Sequence, residues 1–205
     1  MKLFFVLLIV LLISFILFQT YLIMSVKSTP TQSYSVIETN KDFEVRFYPS
    51  VTMAMITSTA TNYKDLGSLG FRKLAGYIFG SNEGNHKISM CSPVHMDINP
   101  ETSSMGFVMP SHYTKESLPK PLNAEVSITT TCDEMVAVIA FGGFASDKSI
   151  RSHAKLLEDA LKLACIEYYG NFRYLGYDPP YKLFSRKNEI IVSVNWEEKI
   201  ADKTN

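Results

Sequence analysis

From Leu3 to Val26 the chain carries no charged residue, and Leu, Ile, Val, Phe and Met make up most of the run. As a helix it is long enough to cross a bilayer core of roughly 30 Å, so everything downstream folds at the end of an apolar rod. A cleaved signal sequence is the competing reading, because Lys2 supplies a short positive start. Such apolar regions span about 7–15 residues and end in a small-x-small site, whereas this one is longer and runs on through Gln19-Thr20-Tyr21-Leu22-Ile23-Met24. The expectation is a single-pass anchor over residues 1–26 with Tyr21 at the interface, in a membrane whose identity and side the sequence does not give. Lys2 faces Lys27 and Lys41 across the segment, which leans slightly toward a non-cytosolic domain, and the absence of an Asn-x-Ser/Thr sequon leans the other way.

A polar linker over 27–33 follows, then one domain over 34–197 and a polar tail over 198–205. Some 170 residues suffice for one full core. The chain has 20 basic and 20 acidic residues and no block of like charge, so it lacks the positive field that a nucleic-acid partner requires. Cys91, Cys132 and Cys165 are odd in number and far apart, which indicates neither a disulfide framework nor a zinc site.

Within the domain, alternation over Tyr34–Glu38, Phe43–Phe47 and Val51–Ile56 predicts antiparallel strands. Tyr63–Phe79 places Leu66, Leu69/Gly70, Leu74, Ala75 and Ile78 near one helical face and ends at Gly80. Lys87–Ile98 and Ser104–Pro110 read as strands, as do Glu125–Thr131 and Met135–Phe141. Ser146 caps a helix from Asp147 to about Cys165, whose stripe is Ile150, Ala154, Leu157, Leu161 and Ala164. Strands near Asn171–Gly176 and Glu189–Trp196 complete a strand-strand-helix-strand-strand order used twice. The expected class is α+β: an antiparallel sheet or distorted barrel with two helices on one side, a pseudo-twofold ββαββ repeat, and one membrane helix in front.

Catalytic patterns are thin. His86, His95, His112 and His153 lie on different predicted elements, and His95 and Met96, being adjacent on a strand, point to opposite faces. No Gly-x-Ser-x-Gly elbow and no Gly-x-Gly-x-x-Gly fingerprint occurs, so an enzyme is not expected. The carboxylates Glu38, Glu44, Asp97 and Glu189 are expected on solvated strand faces.

Three stretches carry a resemblance: Gly176-Tyr177-Asp178-Pro179-Pro180-Tyr181-Lys182, Lys87-Ile88-Ser89-Met90-Cys91-Ser92-Pro93-Val94, and Phe71-Arg72-Lys73-Leu74-Ala75-Gly76-Tyr77-Ile78-Phe79-Gly80-Ser81-Asn82. With them the chain from about Tyr34 to Val194 resembles the SOUL haem-binding protein family. The resemblance implies a non-covalent haem or other tetrapyrrole ligand lying over the first domain helix and against the Tyr-x-Pro-Pro loop. Carried over residue by residue, it points to Leu74, Ala75 and Ile78 on the helix and Tyr177 and Lys182 in the loop. Apolar contact would hold the ring and cations would pair with its two propionates. A histidine that some members carry as iron ligand is matched here by Phe47, basic helix positions are matched by Ser68 and Gly76 with Arg72 and Lys73 nearby, and Cys91 stands where threonine is common. The functional expectation is therefore reversible binding, buffering or transfer of haem at a membrane, without a strong axial bond. A non-haem interaction or effector-sensing domain is the alternative, and catalysis on a small molecule in the same cleft is a third.

Overall fold

The computed structural model describes residues 2–27 and 29–196. The tail expected over 198–205 lies outside the described residues. Helix α1 spans Lys2–Lys27. Its Lys2–Tyr21 portion is long and apolar enough to cross a membrane and is almost wholly exposed, unlike the core helix of a water-soluble protein. The linker does not hang free: from Pro30 it docks on the domain, with Ser92 N–H bonded to Pro30 O (2.8 Å), Gln32 N–H to Ser92 O (2.8 Å), and Gln32 buried.

Nine strands follow: β1 Ser35–Thr39, β2 Glu44–Tyr48, β3 Thr52–Ser58, β4 Val94–Asp97, β5 Ser103–Val108, β6 Ser127–Thr130, β7 Glu134–Phe141, β8 Tyr168–Gly176 and β9 Asn188–Val194. They form one antiparallel sheet in the order β1-β2-β7-β9-β8-β4-β5-β3-β6. The sheet is open, with β1 and β6 at its edges, so the α+β expectation holds as a sheet and not as a closed barrel. The strand expected over Lys87–Ile98 shrinks to Val94–Asp97. Pro93 has no N–H to give a ladder, and Ser92 makes only an isolated bridge to Thr31.

Helices α2 (Tyr63–Ile78) and α3 (Asp147–Leu163) start on side-chain caps. Asn62 accepts from the Asp65 N–H (2.9 Å), and Ser146 and Ser149 cap each other reciprocally. At the end of α2, Gly80 takes φ +118°, a conformation that costs a side chain much more than glycine. α2 packs on β3 and β5, and α3 on β7, β8 and β9. Gly70 permits the first contact, because a Cβ there would lie 2.8 Å from Ile56 Cδ1.

The main core lies between helices and sheet: Leu66, Leu74, Tyr77 and Ile78 of α2 and Leu157 and Leu161 of α3 meet Val45, Ile56, Met105, Phe107, Ile190 and Val192. A smaller apolar cluster, Tyr48, Val136, Val138, Leu175 and Ile191, covers the other side of the sheet with Tyr34 and Tyr177 against it. Central β9 is therefore buried on both faces. This overturns one expectation: Glu189 is 0 % exposed, not solvated. Alternation predicts which face a residue takes, but that face is roofed here by tyrosines, and a buried cation, Arg46, meets the carboxylate at 3.0 Å.

Candidate functional site

Of the five residues singled out on the helix and loop, three have their side chains taken up by the core. Leu74, Ala75 and Ile78 are all buried on the sheet-facing side of α2. The exposed side of the same helix carries what a flat apolar ligand needs. Leu69 is 44 % and Phe79, at the helix end, 68 % exposed, whereas Phe71, 43 % exposed, leans to the sheet side with its ring 5.2 Å from that of core Phe107. Leu69, Arg72, Gly76 and Phe79 recur at intervals of three and four, which puts them along one stripe. Gly76 keeps that stripe low, and a Cβ at this position would have Ser81 Oγ as its nearest neighbour, 3.6 Å away. Arg72 is exposed, while Lys73 Nζ reaches Glu125 at 2.7 Å. Leu122, 66 % exposed, is held near the helix end by its N–H on Ser81 O (3.2 Å).

The loop between β8 and β9 is built inward. Lys182 is buried and its ammonium pairs with Asp178 at 2.6 Å, so it is not the free rim cation that the resemblance implied. Arg186 is the hub, donating to the carbonyls of Pro179 (2.6 Å), Lys182 (2.6 Å) and Asp178 (3.1 Å). Tyr177 donates its hydroxyl to Glu189 (2.6 Å), with Lys187 Nζ 4.1 Å from its ring centre. Burial, and then the neighbouring Glu189 carboxylate, push the Tyr177 phenol far up, so it remains a donor. The loop caps β8 and β9, whereas α2 lies on β3 and β5, with β4 between them in the sheet. The helix and loop residues named from the resemblance thus stand over different parts of the sheet.

A polar network that sequence reasoning missed crosses the side of the sheet away from the helices. Arg46 binds Glu44 (2.7 Å) and Glu189 (3.0 Å), and its guanidinium stacks 4.2 Å over Tyr34. Burial opposes the Arg46 charge, but Glu189 together with bonds to Tyr48 and Glu44 outweighs it and raises the pKa. The only hint in the sequence was the parity of Arg46 with Tyr48, and it does not reveal pairing across 143 residues. Near this network a cavity of about 260 Å³ is lined by Tyr48, Met55, His95, Glu134, Arg173 and Ile191. Arg173 pairs with Glu134 at 2.6 Å and His95 Nε2 meets Gln32 Oε1 at 2.8 Å. Burial, aided by Arg173, lowers the His95 pKa to about 3, so the ring is neutral at physiological pH. A second cavity, about 290 Å³, lies under α3 between Met96, Ile150, Ala154, Phe172 and Tyr174.

The remaining histidines are dispersed. His153 stacks on Phe141 at 4.0 Å and bonds Ser149 O, His112 packs on Tyr113, and His86 is exposed beyond α2. Phe47 is half-buried in β2. Among the described residues no group of three His, Cys, Asp or Glu is placed to hold a metal ion, and the three cysteines are free.

A family model described as SOUL heme-binding protein matches residues 29–193. The chain is 25 % identical over 169 residues to mouse Heme-binding protein 2, covering 78 % of this chain and 82 % of that protein. It is 28 % identical over 156 residues to the human Heme-binding protein 2, covering 72 % and 76 %. Among solved structures, the EcmrR C-terminal domain superposes with a TM-score of 0.59 at 8 % identity, covering 79 % of this chain and 98 % of that one. An uncharacterised conserved protein from Listeria innocua gives 0.57 at 10 %, covering 76 % and 93 %. Identities this low speak to the fold alone.

Proposed function

Because this chain belongs to the SOUL heme-binding protein family, we propose that it binds haem or another tetrapyrrole reversibly, at the end of a membrane anchor. The observation that carries the reading is the outward face of α2: Leu69 and Phe79 exposed on either side of Gly76, with Arg72 and Lys73 alongside. The apolar ring would lie across the stripe, and the cations would take the propionates. Leu74, Ala75 and Ile78 would seat the helix beneath, and Tyr177 and Lys182 would frame the β8–β9 loop. Both cavities, at about 260 and 290 Å³, fall at or below the lower end of ligand pockets, roughly 300–1,000 Å³, which favours a ligand lying on an open face. With Phe47 in β2 and the histidines dispersed, affinity would come from contact area and charge pairing, which suits buffering or transfer better than permanent retention. The tether over 1–26 would raise the local concentration of a ligand that partitions into lipid.

The same reading takes the domain over 34–197 as one ββαββ unit used twice. Exchanging β2, β3, β4 and β5 with β6, β7, β8 and β9 turns the strand order into its own reverse, with β1 left outside as an added edge. α2 and α3 would then be counterparts.

The test is a hemin titration of the full chain in detergent, followed by the Soret band. A saturable shift is expected, and Arg72→Glu with Lys73→Glu should weaken it, whereas Lys182→Glu, acting on a loop cation already paired to Asp178, should weaken it less. No saturable shift from protein shown to be folded would move the assignment to an effector-sensing domain that binds no porphyrin. The specific support for that second reading is the cavity lined by Tyr48, His95, Glu134 and Arg173.

A further inference from the structure

The β8–β9 loop is turned inside out relative to an ordinary surface loop. Three of its four charges point inward: Lys182 and Asp178 pair with each other, and Arg186 spends three bonds on the loop's own carbonyls, leaving only its Nε unmatched, while the partly exposed Lys187 ammonium pairs with Glu189. Its apolar side chains point outward, with Tyr181 56 %, Leu183 41 % and Phe184 59 % exposed. Pro179 and Pro180 have no N–H that needs a partner. In water such an arrangement leaves three large apolar groups solvated while three of the loop's four charges are withdrawn. In the headgroup region of a bilayer it is the favourable arrangement, because backbone and charge are satisfied internally and apolar and aromatic groups are what the interface accepts.

The position of the loop along α1 gives a second, independent argument. The Leu183 N–H is bonded to Gln19 Oε1 at 3.4 Å, and Gln19 is buried although every other residue of the Lys2–Tyr21 segment is exposed. Gln19 lies two residues before Tyr21, the end of the membrane-length segment, and so about 3 Å from it along the axis. Whatever touches Gln19 therefore lies within a few ångströms of the hydrocarbon edge. Phe144, 57 % exposed in the β7–α3 turn and stacked 4.5 Å from the Arg186 guanidinium, extends the apolar surface on a second element.

From these observations we propose that the Asp178–Arg186 loop docks into the bilayer interface beside α1, through Tyr181, Leu183 and Phe184, and so fixes the domain's orientation on the membrane. This rests on the anchor reading of α1. It makes the Tyr-x-Pro-Pro element a lipid contact and leaves the outward face of α2 for the ligand.

The experiment uses the full chain in phosphatidylcholine nanodiscs, with an environment-sensitive fluorophore on a single exposed cysteine and nitroxide-labelled lipids as quencher. Three sites are compared in a Cys165→Ser background: Ser185→Cys in the loop and Tyr21→Cys in the anchor, each with Cys132→Ser, and native Cys132 as the distant control. Cys132 precedes β7, whose other end, Phe141, pairs with Asn188 beside the loop, so strand length separates the two by about 24 Å. The expected result is severalfold stronger quenching at 185 than at 132, close to that at 21, and a return toward the level at 132 when Leu183→Glu and Phe184→Glu are added. Strong quenching at 21 with 185 no different from 132 would leave the anchor standing and overturn the loop proposal. Absence of quenching at both 21 and 185 would overturn the anchor reading and the docking with it.

Discussion

α2 and α3 lie on the same side of one sheet and bury the same kind of underside, yet their outer faces differ. α3 is laced with surface pairs: Lys155 with Glu158 (3.2 Å) and Asp159 (2.7 Å), and Lys162 with Glu158. Leu156 and Leu163 are exposed among these charges. On α2 the exposed stripe is Leu69, Arg72, Gly76 and Phe79, with a single ion pair, Lys73 with Glu125, at its flank. An exposed helix that only had to stay soluble would look like α3. The contrast teaches that the underside of each helix reports the fold, while the outer face of α2 carries the surface proposed for the ligand.

The largest expected effect tests the shared half of this comparison. Leu74→Ala and Leu157→Ala each remove a fully buried side chain, and each should cost about 2–5 kcal/mol in chemical denaturation of the detergent-solubilised chain. A tolerant Leu74 would mean that α2 is not seated as α3 is. Next comes the difference between outer faces: Arg72→Glu with Lys73→Glu should weaken hemin binding on the order of tenfold, about 1.4 kcal/mol. Lys155→Glu with Lys162→Glu on α3 should leave the titration unchanged, and equal losses on both helices would erase the distinction.

A smaller effect separates the two sides of the sheet. His95 is held neutral, with a folded pKa of about 3 against an ordinary value of 6.5. Below about pH 6.5 the unfolded chain takes up a proton that the folded chain refuses, so His95 lowers stability progressively as pH falls toward 3 and contributes nothing above 6.5. His95→Gln should flatten that acid limb in denaturation measured from pH 7 to 4, and an unaltered pH profile would place the acid sensitivity elsewhere. The smallest effect is Lys155→Ala on α3, expected to leave the denaturation midpoint nearly unmoved because exposed pairs contribute little.

Local patterns carried far in the sequence. The stripes of α2 and α3, the Ser146 cap and the stop at Gly80 are properties of neighbours three or four residues apart, and they survive into the structure with ends shifted by one or two residues. The expected α2 site residues were legible as an apolar stripe, but Leu74, Ala75 and Ile78 belong to the side of that stripe that faces the core. Periodicity finds a helix's apolar face without saying whether a sheet or a ligand covers it. Lys182 and Glu189 were misjudged for a related reason: a charge in a loop or strand reads as solvated until its partner is known, and those partners are Asp178 and Arg46.

By itself, then, the sequence determined the apolar segment at the start, the α+β class, the element order and the family, all of which depend on short-range pattern or on motif. Tertiary structure decided that the sheet stays open, that Arg46 and Glu189 meet across 143 residues, and that the β8–β9 loop pairs Lys182 with Asp178 internally and meets α1 at Gln19. Those outcomes depend on which surfaces are covered, and burial is a property of the packed chain that no local window contains.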